Sequence, residues 1–237
     1  MENEKEKETL RFGPILVRNP WLIKGFNFLD ERFNLKEILD DEVFTKLAPG
    51  HLGIFSCFGG ITFFLFLLQV LTGLLLMIYY IPETDKAYQS VVAITNDIEF
   101  GWVVRGLHAW GANLMVVTVF IHMGKIYFSG IYKAPRELNW VTGIVLFLLT
   151  LGFSFTGYLL PWTQLSYWAT VVGTEMPAAT PVVGEMIKVI MRGGEEISQV
   201  TLSRFFAVHV IILPLTIVVF ILAHLIQIRR QGIAGPM

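Results

Sequence analysis

Long stretches of this chain lack charge altogether. No Asp, Glu, Lys or Arg occurs in residues 52–82, 106–124, 138–174 or 205–228. About 20 apolar residues cross a bilayer core of roughly 30 Å, so each run is read as a membrane-spanning helix. Cysteine is nearly absent as well. Cys57 stands alone, which excludes an internal disulfide, a C-x-x-C redox pair, a cysteine-rich zinc site and the C-x-x-C-H signature. Nor is there an excess of positive charge: 18 basic residues face 19 acidic ones, a formal net charge of −1. Nucleic acid is therefore not expected as a partner, because phosphate binding demands a basic surface. The amino-terminal stretch "MENEKEKETLRFG" has no apolar core and reads as neither a secretory signal nor a transit peptide.

What remains is an all-α membrane protein of four transmembrane helices, expected near 53–79, 103–127, 139–160 and 205–228. Trp102, Tyr127, Trp140, Trp162 and Trp168 fall near the ends of those spans, where interfacial aromatics belong. Residues 1–50 form an amphipathic cytoplasmic segment and residues 51–237 the four-helix bundle. Apolar residues at helical spacing, mixed with both signs of charge, suggest an interfacial helix within "NPWLIKGFNFLDERFNLKEILDDEVFTKLAPGH". The connection 161–204 is too long for a bare link, and its "PWTQLSYWATVV" and "VVGEMIKVIMRGG" pieces predict short surface helices. Eight Lys or Arg precede the first span, one lies in 80–102, three in 125–138, three in 161–204, and two follow the fourth span. The positive-inside rule then puts both termini and the loop 125–138 on the cytoplasmic side.

Four of the five histidines sit at membrane depth, where a polar group is expensive and signals function. One such histidine alone is as well explained by a hydrogen bond across a helix interface. Four in two matched pairs are not. His108 and His122 are fourteen residues apart, about 40° short of four turns, so they share a helix face about 21 Å apart along the axis. His209 and His224 are fifteen apart, which in an ideal helix is about 60° past four turns. The second and fourth spans run in the same direction. His108 and His209 thus share the outer depth, and His122 and His224 the inner one.

Two imidazoles facing each other across a bundle can supply both axial positions of a haem iron, so two stacked bis-histidine haems are expected. Zinc is a poor alternative, since a closed zinc site wants four ligands around one point; copper fails similarly. A planar macrocycle also needs close backbone approach, which glycine permits. Gly59 and Gly73 on the first span, and Gly143 and Gly157 on the third, repeat the same fourteen-residue interval. Singly each would pass as ordinary transmembrane packing.

The stretches "FSCFGGIT", "FGWVVRGLHAWGANL", "KAPRELNWVTG", "GFSFTGYLLPWTQLSYWA", "TLSRFFAVH" and "IRRQGIAGPM" resemble cytochrome b in its short, split b6 form, from about Phe28 to Met237. The resemblance implies the same pairing, His108 with His209 and His122 with His224, for two b-type haems. It implies that Cys57, followed by "FGG", binds a third, c-type haem covalently beside the inner one. It further implies that Arg105 and Arg229 serve haem propionates. The bend after the third span, with Tyr158, Pro161 and Trp162, would form part of a quinol pocket.

The implied function is transmembrane electron transfer in a quinol:cytochrome c or plastocyanin-type oxidoreductase. Electrons from quinol oxidised at the outer face would pass through two b haems to a quinone-reducing site at the inner face, contributing to proton translocation. The quinol-pocket motif and later spans of full-length cytochrome b are missing from this sequence, so a subunit IV-like chain is expected to supply them. A Rieske iron–sulfur protein, a c-type cytochrome, membrane lipid and a dimeric complex complete the expected partners. The split form without a transit peptide points to a bacterial cell membrane rather than a thylakoid, and to menaquinol. Two other readings stand beside this one: a di-haem anchor of a different dehydrogenase, and a proton-coupled carrier in which the histidines relay protons. The lack of any Asp or Glu within the spans speaks against the carrier.

Overall fold

A computed structural model of the chain describes residues 10–12, 15–33, 36 and 54–231. The chain divides into two compact units at Leu52/Gly53. In the first, β1 (Leu10–Phe12) pairs antiparallel with β2 (Ile15–Val17), Leu10 opposite Val17. Helix α1 (Pro20–Phe33) follows. It opens with Asn19, whose side-chain oxygen accepts from the Trp21 amide at 3.0 Å, and Pro20 fills the first helical position, where no donor is needed. The remainder of the expected amphipathic stretch lies, apart from Lys36, outside the described residues.

The second unit is a helical bundle. A 3₁₀ turn (Ile54–Cys57) leads into α2 (Phe58–Tyr79), followed by α3 (Ala87–Asn96), α4 (Gly101–Phe128) and α5 (Glu137–Leu159). Next come α6 (Gln164–Ala178), α7 (Gly184–Arg192) and α8 (Gln199–Ala207). A π-turn (Val208–Ile212) joins α8 to α9 (Leu213–Gln231). Among the described residues four helical stretches are long and apolar enough to cross a membrane: Phe55–Tyr79, Gly101–Phe128, Glu137–Leu159 and Gln199–Gln231. The last begins six residues before the expected 205 because Arg204 lies within it. Its guanidinium bonds the Ile190 carbonyl, so the charge there does not mark a helix end. Within the spans α2 packs along α4 and α9 along α5, and the two pairs meet where α4 touches α5.

The buried apolar core, Leu65, Phe66, Met115 and Ile217 with Leu146, Leu149 and Phe153 against it, lies halfway along the spans. It separates the level of His108 from that of His122. Large apolar side chains such as Phe64, Leu71, Phe120 and Leu215 point outwards, exposed, as a surface solvated by lipid requires. Where α4 ends and α5 begins, Tyr127, Tyr132 and Trp140 form one ring cluster, with centroids 5.6 to 6.4 Å apart.

The segment between the third and fourth spans folds as α6 and α7, as its patterning predicts. Buried Arg192 locks them. Its guanidinium donates to the Thr174 hydroxyl at 2.7 Å and to Glu175 at 2.8 Å, and its carbonyl accepts from Thr201 at 2.7 Å. Tyr80, just past α2, donates its phenol to the Leu160 carbonyl at 2.6 Å and packs on Phe206. Burial pushes that phenol well above the usual tyrosine range, so it stays protonated and able to donate. Tyr80→Phe is expected to cost about 1 kcal/mol, the worth of one such bond, read as a lower midpoint in thermal unfolding in detergent.

Candidate haem-binding sites

The fifteen-residue spacing on the fourth span is resolved by its π-turn. The Leu213 amide bonds the Val208 carbonyl, five residues back, so one residue is absorbed without advancing the helix face. His224 then stands to His209 as though fourteen residues separated them, the spacing of His108 and His122. The turn ends two residues before Pro214, whose missing donor and crowding ring disfavour a regular α-turn there.

The structure brings the four histidines together in two pairs. The rings of His108 and His209 lie 6.5 Å apart, centre to centre, with planes crossed at 74°. His122 on α4 and His224 on α9 stand at the other level, against Gly59 and Gly143 respectively. Behind every ring lies a glycine. A Cβ on Gly73 would meet His108 Cε1 at 3.2 Å, one on Gly59 would meet His122 Cε1 at 3.0 Å, one on Gly143 His224 Cε1 at 3.6 Å, and one on Gly157 His209 Cε1 at 2.7 Å. Each of the four glycines singled out by spacing thus backs a different histidine, on the helix packed against that histidine's own.

Three threonines also touch these rings. The Thr72 hydroxyl lies 2.9 Å from His108 Nδ1, that of Thr156 2.9 Å from His209 Nδ1, and that of Thr142 3.2 Å from His224 Nδ1. Sequence reasoning passes over them, although Thr-Gly at 72–73, 142–143 and 156–157 is the legible signal. His122 Nδ1 is the exception, buried without a partner among the described residues.

These residues fit a haem. Metal–imidazole bonds of about 2.0 Å on each side put two rings about 6 Å apart, close to the spacing observed at the outer pair. Hydroxyl partners at Nδ1 leave Nε2 of three rings free to ligate. Among the described residues no cluster of three or more His, Cys, Asp or Glu is arranged to hold a bare metal ion.

The other expected site residues are placed as follows. Cys57 is an exposed free thiol ending the 3₁₀ turn, two residues before Gly59 and so at the inner level. Arg105 is exposed near the outer end of α4, with its guanidinium 3.4 Å from the Thr95 hydroxyl. Arg229, in the last turn of α9, lies beyond His224. A cavity of about 210 Å³ at the outer end is lined by Tyr88, Val92, Thr95, Arg105, Pro161 and Thr163. It joins Pro161 to Arg105, but neither Tyr158 nor Trp162 lines it. Trp162 instead takes a positive φ of 51° and packs edge-on against Tyr167, while the Tyr158 carbonyl accepts from Ser166 Oγ at 3.0 Å.

Comparison with known proteins accords with this architecture. The family model described as Cytochrome b/b6/petB matches residues 43–232. Cytochrome b6 of Synechococcus elongatus is 45% identical over 214 residues, 90% of this chain and 99% of that protein. Cytochrome b6 of Oltmannsiellopsis viridis is 46% identical over 214 residues, with the same coverage. A solved structure titled "Hyperthermophilic respiratory Complex III" superposes with a TM-score of 0.82 at 34% identity, covering 89% of this chain and 56% of that one. The chain is therefore an integral membrane protein of the cytochrome b/b6 family, whose members bind b-type haem.

Proposed function

We propose that this chain, an electron-transfer subunit of a bc/b6f-type quinol oxidoreductase, holds two b haems, one per leaflet. The outer is ligated by His108 and His209 and the inner by His122 and His224. The observation that carries this reading is the repetition at two depths of one unit: a histidine from each helix pair with a glycine behind each ring. Haem supplies one-electron redox chemistry, with a potential set by its axial ligands and its burial.

The chain's own residues do the rest. The four glycines leave room for a flat macrocycle along the walls of α2 and α5. The apolar layer around Met115 and Ile217 keeps water out between the two levels and holds them apart. Arg105 and Arg229 serve propionates at the two ends, where a charge-assisted hydrogen bond remains near water. Cys57, exposed at the inner level, carries a third haem through a single thioether. Tyr158, Pro161 and Trp162 contribute one wall of an outer quinol pocket. A subunit IV-like chain completes that pocket, and a Rieske protein and a c-type cytochrome take electrons on the outer side. The complex is dimeric, sits in a bacterial cell membrane with both chain termini cytoplasmic, and uses menaquinol.

The match to cytochrome b6 over 90% of the chain favours this reading over a dehydrogenase anchor or a proton-coupled carrier. A pyridine haemochrome assay on the purified protein is expected to return two acid-extractable b haems per chain. A denaturing gel stained for haem should show a band at this chain that Cys57→Ala removes. A colourless preparation would overturn the reading in favour of the carrier, and a wild-type band without haem stain would remove the third haem from it.

A further inference from the structure

Three of the four imidazoles are held from behind in the same way. The Thr72 hydroxyl donates to the Leu68 carbonyl at 2.7 Å, that of Thr156 to Gly152 at 2.8 Å, and that of Thr142 to Asn139 at 2.9 Å. With its only hydrogen committed to its own helix, each hydroxyl is left as an acceptor toward histidine. A neutral imidazole facing it must then carry its proton on Nδ1 and present a lone pair at Nε2, the form that ligates a metal.

The fourth place breaks the pattern. Gly59 stands to His122 as Gly73 stands to His108, and each of the other three glycines follows a threonine, but Gly59 follows Phe58. Phe58 has no hydroxyl. The residues just before it, Ile54–Cys57, form a 3₁₀ turn rather than a continuation of α2. Among the described residues His122 Nδ1 accordingly has no partner, though it is buried.

We propose that Thr72, Thr142 and Thr156 are positioning residues that orient three of the four haem-ligating imidazoles and strengthen them as donors, and that Phe58 leaves His122 the weakest donor of the set. This rests on the bis-histidine reading above. An acceptor behind a ligating imidazole raises its basicity and favours the oxidised metal. The outer site, backed at both histidines, is therefore held toward the oxidised state relative to the inner site, which is backed only at His224.

The test is redox potentiometry, with electron paramagnetic resonance of the oxidised haems, on the intact complex. Thr156→Val is expected to raise the outer haem's potential and Phe58→Thr to lower the inner one's. Each should change the reduced-to-oxidised ratio at fixed ambient potential by roughly three- to tenfold, tenfold being about 59 mV for one electron. Thr156→Ser, which keeps the hydroxyl, should restore both the potential and the low-spin signal, which reports the relative orientation of the two imidazole planes. Haems that load fully with unchanged potentials and signals in Thr156→Val and Phe58→Thr would overturn the proposal while leaving the bis-histidine reading intact. Loss of the outer haem in Thr156→Val supports the proposal if Thr156→Ser recovers it and overturns it if the serine variant loses it too. Wild-type complex without b-type haem would overturn the proposal together with the reading beneath it.

Discussion

Replacing His122 or His224 with leucine is expected to remove the inner b haem completely and to leave the outer one in place, halving the b-haem content per chain. Replacing His108 or His209 should do the reverse. Leucine is favourable at membrane depth, so the altered span still inserts and packs. What is lost is one of two axial bonds, together with the imidazole that narrows the gap between the helix pairs. The two levels are about 21 Å apart along the helix axis and are divided by the layer around Leu65, Phe66, Met115 and Ile217, so damage at one should not spread to the other. Haem quantitation by pyridine haemochrome, with reduced-minus-oxidised spectra, checks this. Retention of both b-type signals in the His122→Leu variant would contradict the pairing.

The second large effect lies at the glycines, and it is graded. Alanine at Gly157 would bring Cβ to 2.7 Å from His209 Cε1, at Gly59 to 3.0 Å from His122, at Gly73 to 3.2 Å from His108, and at Gly143 only to 3.6 Å from His224. The first distance cannot be borne without movement, and the last is ordinary van der Waals contact. His209 has little freedom to yield, since Thr156 holds its Nδ1 at 2.9 Å and Phe153 packs edge-on against its ring. Overpacking of this kind costs about 1–3 kcal/mol, which is about a 5- to 150-fold loss of outer-haem affinity for Gly157→Ala. Gly143→Ala should be close to neutral. Haem retention during dialysis against apomyoglobin measures the order, expected as Gly157 most sensitive, then Gly59, Gly73 and Gly143. Equal sensitivity at Gly143 and Gly157 would show that the glycines act through something other than the space behind each ring.

The spans are legible in the sequence because a bilayer tolerates few charges, so uncharged runs of the right length leave one common interpretation. The helix that carries the fourth span starts earlier than the uncharged run, at Gln199, because Arg204 finds the Ile190 carbonyl and the helix simply continues past it. Helix α3 escapes charge counting as well, being short and lying between spans. For the strand pair at Leu10–Val17 the one sequence signal is the Gly13-Pro14 dipeptide.

At the sites, the histidines and glycines are visible because their fourteen-residue period is a property of one helix face. Which glycine backs which histidine depends on how the helices pair, and no single helix encodes that. The extra residue between His209 and His224 is countable, yet its remedy, the π-turn at Val208–Ile212, is a backbone choice made next to Pro214. Thr72, Thr142 and Thr156 escape notice for a related reason. Threonine within a transmembrane helix usually bonds a carbonyl of its own preceding turn, as Thr72 and Thr156 do at i−4 and Thr142 at i−3, and only the packing of a second helix reveals the lone pair turned toward an imidazole.

The central claim is a cofactor plane clamped between the two helix pairs at each of two depths. An experimental density map of the purified complex tests it most directly. Flat, haem-sized density between His108 and His209, and again between His122 and His224, with Gly73, Gly157, Gly59 and Gly143 at its edges, is the predicted result. A map in which either pair of imidazoles meets with no planar density between the rings, or points to opposite sides of the bundle, would contradict it.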